Sequence, residues 1–342
     1  NEAVKEAPAV GNSAGAGEKD TSYNKEAAMK KTTVLKQMIE NNEFFVLPGG
    51  GCALHAKIAE AVGFKVAYMS GMNACATVFG VPDAGLLTLT EMVENAGRMA
   101  NAVNIPLIAD ADQGFGNAIN VRRTVQEYIR AGVAGIHIED QVAPKRCGFV
   151  QGKQLVSIEE AAGKYRAAVD AKNELDPDFV IIARCDARTA ANGGLDEVVR
   201  RLRAYKEAGV DMLYMEGPLS VEEIRQVRAA VDGPFTATTI ELRPIPSLQE
   251  HIDLGMSCVI VPSLVSRAGY YESWDFAKEF MDRGMDAYND ILEKRKNHPI
   301  FEFELFKFLG FGQIRELEGK YLSAEAMAKY AASSGVYNPD AK

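Results

Sequence analysis

The sequence predicts an α/β protein, a (β/α)₈ TIM-type barrel with additional C-terminal helices. Three observations support this class: eight short apolar segments recur along the chain, helical patterns separate them, and the series fits into about 240 residues. Short apolar segments are typical of strands that are buried on both faces of a parallel sheet. Their alternation with helices indicates βαβ units, and eight such units close a barrel.

The eight predicted strands span 44–47, 66–69, 105–110, 135–139, 180–184, 212–216, 235–238 and 258–261. An amphipathic helix is predicted over 27–41, before the first strand. A second one over 91–104, with Thr90 as its N-cap, precedes the third. Several helices are expected to end in a glycine just before the next strand, because glycine adopts the left-handed C-cap conformation without steric cost. These glycines are Gly63, Gly132, Gly209 and Gly255.

The rival architecture is an open doubly wound sheet with a nucleotide site in its first β–α turn. That turn contains Pro48-Gly-Gly-Gly-Cys52, which superficially resembles a phosphate-binding loop. It lacks both the GxGxxG spacing and a GK[ST] sequence. We therefore interpret it as a flexible turn and favour the barrel.

The chain divides into three predicted parts. Residues 1–24 form a disordered or loosely attached tail, because they are rich in small and charged residues and lack apolar periodicity. The barrel domain spans 25–290, and a C-terminal helical extension spans 291–342. The extension holds a dense aromatic cluster between Phe301 and Phe311, which must be buried on the barrel or on another subunit. We favour the second, and expect a homotetramer or homodimer formed through the C-terminal helices.

Composition excludes several classes of protein. The chain has 342 residues, of which 47% are hydrophobic and 25% charged, as in ordinary globular proteins. It has no run of 18 apolar residues, so no membrane partner is expected. The net charge of −9 disfavours a nucleic-acid partner, whose binding needs clustered Lys and Arg. The five cysteines include no CxxC pair and indicate a reducing, cytoplasmic location, with a removed leader left open.

Acidic residues close several of the predicted strands. In a parallel barrel the C-terminal strand ends face one way and carry the active site. Asp83 follows the second strand, Asp110 and Asp112 the third, and Glu139 the fourth. So many converging carboxylates need a compensating cation, and an oxygen-only set favours Mg²⁺ or Mn²⁺ over Zn²⁺. We expect these four to be the metal-binding residues, most of them through water. The alternative is that each is a helix N-cap or a surface loop residue.

A cysteine in a polar loop suggests acid–base chemistry at the same mouth. Cys147 lies in Pro144-Lys-Arg-Cys-Gly148, after the fourth strand, and two adjacent cations are expected to lower the pKa of its thiol. We interpret the loop as a mobile lid with hinge freedom at Gly148 and Gly152. The alternative is an exposed loop cysteine.

Two further polar residues, Arg184 and His137, lie on predicted strands. Arg184 ends the fifth strand, where a guanidinium can hold a substrate carboxylate through two parallel hydrogen bonds. The alternative is an internal ion pair, for instance with Glu216. His137 lies in the middle of the fourth strand and is expected to pack or hydrogen-bond internally.

An ordered set of motifs resembles a known superfamily. The motifs are Tyr68-Met-Ser-Gly71, Val81-Pro-Asp-Ala-Gly85, Ile108-Ala-Asp-Ala-Asp-Gln-Gly-Phe-Gly116, His137-Ile-Glu-Asp-Gln141, Lys145-Arg-Cys-Gly148 and Ala183-Arg-Cys-Asp-Ala187. Over roughly residues 32–290 the chain resembles the isocitrate lyase/phosphoenolpyruvate mutase superfamily. Within that superfamily, its motifs are most similar to those of 2-methylisocitrate lyase, dimethylmalate lyase, the petal death protein and oxaloacetate hydrolase.

The resemblance implies a role for each site residue. Asp112 would bind Mg²⁺ directly, while Asp83, Asp110 and Glu139 would hold its waters. The implied catalytic residues are Cys147, Arg184, Glu216 and Tyr68. The implied substrate-binding residues are Ser70, Gly71, Asp110, Lys145, Arg146, Gly148, Arg184 and Thr238. Glu216 would pair with Arg184, Tyr68 would line the pocket, and Cys147 would ride on the gating loop.

The resemblance also implies a reaction. The superfamily's lyases cleave the C2–C3 bond of a 2-hydroxy acid in a retro-aldol step that yields pyruvate or glyoxylate and a carboxylate, with Cys147 as the implied proton donor. Two departures from the lyase pattern favour a smaller or more apolar malate derivative over a tricarboxylate. Phe149 replaces the usual His after Cys-Gly, and Ala237-Thr-Thr-Ile-Glu241 replaces an Asn before Thr-Glu. The alternatives are oxaloacetate hydrolysis, a phosphoryl shift between oxygen and carbon, and a metabolite-binding barrel without turnover.

Overall fold

Eight parallel strands form a nearly closed barrel in the computed structural model, which describes residues 29–335. This confirms the predicted fold class, while the tail predicted over 1–24 lies outside the described residues. The strands are β1 (Phe45–Gly50), β2 (Ala67–Met69), β3 (Leu107–Asp110), β4 (Gly135–Glu139), β5 (Val180–Cys185), β6 (Met212–Met215), β7 (Phe235–Ala237) and β8 (Cys258–Val261). Each predicted strand overlaps one of these.

Helices follow the strands around the barrel. They are α1 (Lys31–Glu40), α2 (Ala53–Ala61), α3 (Gly71–Ala74), α4 (Leu89–Asn101), α5 (Ala118–Arg130), α6 (Ile158–Leu175), α7 (Leu195–Glu207), α8 (Val221–Ala230) and α9 (Leu248–Asp253). The predicted C-cap glycines all have positive φ, between 68° at Gly255 and 99° at Gly63. The N-cap of α4 was predicted wrongly: it is Thr88, whose hydroxyl accepts from the Glu91 N–H while the Glu91 carboxylate accepts from the Thr88 N–H.

The sheet runs in the order β7-β6-β5-β4-β3-β2-β1-β8, so that β7 and β8 are its two ends. Direct hydrogen bonds nevertheless join these ends. The Ser257 N–H donates to the Phe235 carbonyl at 2.8 Å, and the Thr236 hydroxyl donates to the Cys258 carbonyl at 2.9 Å. The barrel is thereby held together where the strand ladder stops.

Helix α1 closes the N-terminal end of the barrel. Its Leu35, Met38 and Ile39 belong to the same buried cluster as strand residues such as Leu47 and Ile182. At its rim the Thr33 hydroxyl donates to Asp178, just before β5 begins, at 2.5 Å. The outer faces of the strands pack against the surrounding helices in a second buried cluster. The opposite end, where the strands finish, is left for polar residues.

The glycine-rich segment at the end of β1 is not the flexible turn that the sequence predicted. Gly49 and Gly50 belong to β1, and both are buried with Gly51. A Cβ on Gly49 would overlap the Pro262 carbonyl, and one on Gly51 would overlap the Asn73 carbonyl. The glycines are therefore required because three backbone segments approach closely at this end of the barrel.

A second compact unit begins at Ser266, earlier than the boundary predicted at residue 290. It contains α10 (Arg267–Arg283), α11 (Met285–Arg295), α12 (Glu304–Phe308), α13 (Phe311–Tyr321) and α14 (Ala324–Ala331). Helix α10 has no buried residue, and large apolar side chains such as Trp274 and Met281 are 75% and 83% exposed. Among residues 29–335, no helix is both long enough and apolar enough to cross a membrane.

Candidate active site

The end of β3 places two carboxylates at the barrel mouth. Asp110 accepts hydrogen bonds from the backbone N–H groups of Gly71 at 3.1 Å and Asp112 at 3.0 Å. Burial opposes the ionisation of Asp110, but nearby His137, Lys145 and Arg184 outweigh it and lower its pKa. Asp112 lies in the left-handed region with a φ of 45°, a conformation that aspartate tolerates better than most residues. Gly71 is required beside them, because a Cβ there would stand 2.6 Å from the Asp110 carboxylate.

Lys145 bridges two of the predicted metal-binding acids. Its ammonium lies 2.5 Å from Asp83 Oδ1 and 2.8 Å from Asp112 Oδ1, and the residue is 2% exposed. Burial would lower the pKa of Lys145, but the surrounding carboxylates raise it well above its usual value, so that it remains a cation. Burial and the neighbouring Asp110 raise the pKa of Asp112 against the opposing effect of Lys145. A cation is thus already held between Asp83 and Asp112, and it comes from the protein itself.

Arg184 is enclosed by acids, but its main partner is not the predicted one. Its Nε and Nη2 donate to the two oxygens of Asp186 at 2.8 and 3.0 Å, in a bidentate pair. Glu139 lies 3.3 Å from Nη1, whereas Glu216, the expected partner, lies 3.9 Å from Nε. The expected Glu216 pair is therefore present as a longer ion pair, and Asp186, two residues along the same strand end, is a closer partner that the sequence did not predict.

Glu216 is also held by two hydroxyl groups. Its Oε2 accepts from the Tyr214 hydroxyl at 2.6 Å and from the Thr238 hydroxyl at 2.5 Å. Thr238, predicted as a substrate contact, therefore fixes the carboxylate of a neighbouring strand in this conformation. The Tyr214 ring also lies under the Arg184 guanidinium, 5.5 Å from its centroid.

Tyr68 and His137 form a buried pair below the acids. The Tyr68 hydroxyl and His137 Nε2 are 2.8 Å apart, so His137 hydrogen-bonds internally as predicted. Burial lowers the pKa of His137, which favours the neutral imidazole. Its Nδ1 lies 3.7 Å from Asp110 without a hydrogen-bond partner. Tyr68 is thus directed at His137, and its hydroxyl supports the floor of the site.

The loop after β4 lies over these residues as a lid, which we define as residues 142–154. Its two ends are joined by a bridge between Gln141 and Leu155 and by the Val142 N–H, which donates to the Gln154 carbonyl at 2.8 Å. At the centre, the Cys147 N–H donates to the Asp83 carbonyl at 3.1 Å. A Cβ on Gly148 would overlap Glu216 and stand 2.6 Å from Arg184 Nη2. The lid is therefore closed onto the site, and only glycine permits that approach.

The thiol of Cys147 differs from the sequence expectation. Burial raises its pKa to about 11, and its neighbours Lys145 and Arg184 only partly oppose that effect. Lys145 is committed to two carboxylates, and Arg146 is exposed to solvent. The prediction of a thiolate favoured by adjacent cations is therefore wrong, and the group is a protonated thiol near neutral pH.

The predicted substrate-binding residues do not all converge. Ser70 is buried, and its hydroxyl accepts from Asn73 Nδ2 at 3.1 Å, beside Gly71. Arg146 turns away: Gln141 holds its backbone N–H and carbonyl, both at 2.9 Å, and its side chain extends over Gly152. A direct role of Arg146 in binding substrate does not fit this conformation, because its guanidinium lies on the outer surface of the lid.

The acids fit a hydrated divalent cation better than a directly coordinated one. Both carboxylate oxygens of Glu139 are buried without a hydrogen-bond partner, and burial raises the pKa of Glu139 well above its usual value. Such oxygens are suited to accept from metal-bound water. Among residues 29–335, no three His, Cys, Asp or Glu side chains are arranged to hold a metal ion directly. Lys145 neutralises part of the negative charge of these acids.

Sequence reasoning missed three supporting residues. Asp186 orients Arg184, and its position within Arg184-Cys-Asp-Ala187 was the available indication. Asn73 joins two loops, since its amide donates to Ser70 and, at 2.6 Å, to the Pro262 carbonyl. Lys153 is only 1% exposed, and nothing in the sequence distinguishes it from a surface lysine of the lid.

The chain is similar to proteins of one superfamily. The profile of the family described as phosphoenolpyruvate phosphomutase matches residues 35–281. The 2,3-dimethylmalate lyase of Eubacterium barkeri is 40% identical over 296 residues, which cover 86% of this chain and 99% of that protein. The 2-methylisocitrate lyase of Aeropyrum pernix is 39% identical over 299 residues, which cover 87% of this chain and 94% of that protein.

Solved structures agree with the sequence comparison. A crystal structure of 2,3-dimethylmalate lyase matches with a TM-score of 0.80 and 32% identity, covering 90% of this chain and 99% of that one. Oxaloacetate acetylhydrolase with 3,3-difluorooxalacetate matches with a TM-score of 0.74 and 33% identity, covering 85% and 97%. Phosphonopyruvate hydrolase with oxalate and Mg²⁺ matches with a TM-score of 0.73 and 31% identity, covering 86% and 100%.

Proposed function

The chain belongs to the phosphoenolpyruvate mutase/isocitrate lyase superfamily, as one of its carbon–carbon lyases, and we propose that with Mg²⁺ it cleaves a small 2-hydroxy di- or tricarboxylate. The products would be an α-oxo acid, pyruvate or glyoxylate, and a second carboxylate. The observation that carries the proposal is the closed lid, which brings Gly148, next to Cys147, against Arg184 and Glu216 and joins the Cys147 N–H to the Asp83 carbonyl. Proton donation to a developing carbanion needs that arrangement.

The polar and charged groups at the barrel mouth lie on two sides, and each side can bind one carboxylate of a dianionic substrate. On one side, Ser70 offers its hydroxyl to a carboxylate, beside the Gly71 N–H that Asp110 holds. On the other, Arg184 is fixed by Asp186, which leaves Nη1 directed toward Glu139. A divalent cation would be held by Asp112, with Asp83, Asp110 and Glu139 on its waters. When bound, it would act as a Lewis acid that stabilises negative charge on the substrate's hydroxyl and carboxylate oxygens.

Two proton transfers accompany the cleavage, one to a base and one from Cys147. A base removes the proton of the 2-hydroxyl group, the C2–C3 bond breaks, and the electron pair stays on the fragment that leaves as an enolate. Cys147 Sγ gives its proton to the enolate carbon and becomes a thiolate. Arg184 and the closed lid exclude water and stabilise the enolate charge while it exists. Opening of the lid releases the products, and solvent then takes the proton from the base and returns one to the thiolate.

A malate carrying small alkyl groups is the substrate type that the site favours. Phe149, which follows Cys147 and Gly148, is 43% exposed and offers no charge to a distal carboxylate. Ala237 is fully buried, and Thr238 already donates to Glu216. The site therefore has little with which to bind a third carboxylate, and the similarity to a 2,3-dimethylmalate lyase agrees with that preference.

A substrate screen tests the proposal. Malate, 2-methylmalate, 2,3-dimethylmalate, isocitrate and 2-methylisocitrate would be incubated with the enzyme and Mg²⁺, with pyruvate and glyoxylate release coupled to separate dehydrogenases. We expect turnover of an alkylmalate, abolished by EDTA and restored by Mg²⁺ or Mn²⁺. Full turnover in EDTA would remove the metal from the proposal. Failure to release either oxo acid from any of the five would remove the lyase reaction.

Oxaloacetate hydrolysis is the second candidate, because the oxaloacetate acetylhydrolase structure is a comparably good match. In that reaction, water adds to the C2 carbonyl before the C–C bond breaks, giving oxalate and acetate. Oxaloacetate would be included in the same screen with oxalate as the measured product. Release of oxalate without cleavage of any 2-hydroxy acid would favour this candidate over the lyase.

We propose further that a homotetramer or homodimer forms through the C-terminal helices, in a reducing compartment such as the cytoplasm. The apolar side chains exposed on α10 and the five free cysteines support these two statements. Sedimentation equilibrium at micromolar concentration is expected to give two or four times the chain mass. A single-chain mass, unchanged as concentration rises, would contradict the association.

A further inference from the structure

One carboxylate beside the site joins the lid to the arginine that would bind substrate. Asp186 is fully buried, and its two oxygens accept from Arg184 at 2.8 and 3.0 Å. The oxygen Oδ1 also accepts from Lys153 Nζ at 3.0 Å and from Gln141 Nε2 at 3.2 Å. Both of these partners lie at the ends of the lid, one before it and one within it.

The same two partners hold the lid backbone on either side of Cys147. Lys153 Nζ donates to the Gly148 carbonyl at 2.8 Å, and Gln141 Nε2 donates to the Arg146 carbonyl at 2.9 Å. Lys153 is 1% exposed, although it belongs to a loop whose tip is open to solvent. Burying a lysine is costly unless its charge is paired, and here Asp186 provides the pairing.

We propose that Lys153 is a positioning residue, which acts through Asp186 to set the closed lid in register with Arg184. The Lys153 ammonium contacts both the lid backbone next to Cys147 and the carboxylate that orients Arg184. The Gln141 amide makes a similar pair of contacts from just before the lid, but Lys153 lies within the lid and brings a charge to Asp186. Movement of the Arg184 guanidinium, as when a substrate carboxylate binds, shifts Asp186 and hence the lid. The coupling is reciprocal, because a closed lid stabilises the guanidinium orientation in turn.

The role in catalysis rests on the proposed function, but the mechanical coupling does not. The coupling is tested by hydrogen–deuterium exchange of peptides from the lid, 142–154, in the full-length chain without ligand. We expect Lys153→Met to speed exchange in the lid by about 10- to 100-fold, as two charge-assisted hydrogen bonds are lost. The alkylation of Cys147 by iodoacetamide, followed at that residue by mass spectrometry, is expected to accelerate by a similar factor.

A matched control separates positioning from general stability. Lys172 is also buried, at 3% exposure, and bonds Asp211 at 2.7 Å, before β6 at the other end of the barrel. Lys172→Met should lower the melting temperature without changing exchange in the lid. Lys153→Gln serves the same comparison if Lys153→Met does not fold. Lid exchange that is equal in wild type and the Lys153 variant, or raised equally by Lys172→Met, would overturn the proposal.

A kinetic readout links the coupling to turnover once a substrate is known. Lys153→Met is expected to lower kcat by at least tenfold with KM changed less than threefold, since the lid still closes but with Cys147 out of register. An enzyme that turns over no 2-hydroxy acid would refute the proposed function, while the exchange result would stand. A raised KM with unchanged kcat would show that Lys153 serves binding alone, contrary to the proposal.

Discussion

Replacement of Arg184 by Met is expected to abolish most turnover and to destabilise the fold. The guanidinium is buried among Asp186, Glu139 and Glu216, at 2.8, 3.3 and 3.9 Å. Removing one partner of a buried ionic cluster leaves the others uncompensated, and the usual cost is about 3–5 kcal/mol. The free energy of unfolding would be measured in urea, with kcat/KM measured on the substrate found by the screen.

The loss of turnover has a separate origin. A carboxylate bound by a fixed guanidinium gains charge-assisted hydrogen bonds, so that we expect kcat/KM to fall about 10²- to 10³-fold. Arg184→Lys keeps the charge but loses the fork, and it should recover much of the stability with little of the activity. If Arg184→Lys restored full kcat/KM, the proposed role of the guanidinium in substrate binding would be disproved.

Arg201 provides the matched control for this experiment. It is similarly buried, at 6% exposure, and donates to Asp140 at 3.1 Å and to the Val156 carbonyl at 2.9 Å. Its connection to the site is indirect, through Asp140, which accepts from the Asp186 N–H at 2.9 Å. Arg201→Met should lose a comparable amount of stability but keep its turnover at temperatures where it is folded. Equal losses of turnover in both variants would mean that Arg184 acts only through stability.

The effect of Arg184 on stability has a definite pH dependence. Burial opposes the ionisation of Asp186, but Arg184 and Lys153 outweigh it and lower the pKa of that carboxyl. A carboxyl with a lowered pKa contributes stability above its unfolded pKa of about 3.9, and the contribution is lost as pH falls through the folded value. The difference in stability between wild type and Arg184→Met should therefore be largest near neutral pH and shrink below about pH 4.

The architecture was predictable because it depends on patterns of short range. Apolar runs such as Val180–Cys185 and Gly135–Glu139 are buried on both faces, and their composition alone indicates that environment. The converging acids were predictable for the same reason. Once the strands are parallel, residues that close them share one end of the barrel.

What the sequence did not predict depends on distances across the folded chain. The thiol of Cys147 has two cationic neighbours in sequence, but Lys145 turns to Asp83 and Asp112 while Arg146 turns to solvent. The glycines at the end of β1 would suit a flexible turn equally well, and only the close approach of Pro262 reveals why Gly49 is required. Lys153 is buried by a pairing with Asp186, 33 positions away in the chain, that no local pattern encodes.

Replacement of Cys147 by Ser is expected to remove the chemical step while leaving substrate binding intact. Serine keeps the size and a hydrogen-bond donor, but its hydroxyl is a far weaker acid than the thiol. Loss of general acid catalysis typically costs about 10²- to 10⁴-fold, so we expect kcat to fall by that factor with KM within threefold. Cys52→Ser is the control, because Cys52 lies at the N-cap of α2, where serine is well accepted, and should retain full kcat.

The pH profile distinguishes a thiol donor from the thiolate that the sequence suggested. With a pKa of about 11, Cys147 stays protonated through the neutral range and is lost as a donor only as pH approaches that value. Activity that depends on it should therefore show no thiol-linked decline up to about pH 10. A depressed pKa would instead bring such a decline near neutral pH, together with fast alkylation of Cys147. Burial under the lid is what raises the pKa of Cys147. A variant that opens the lid should therefore move the decline in activity toward the ordinary pKa range of a thiol. An identical pH profile in the wild type and that variant would show that lid closure does not control the proton donor.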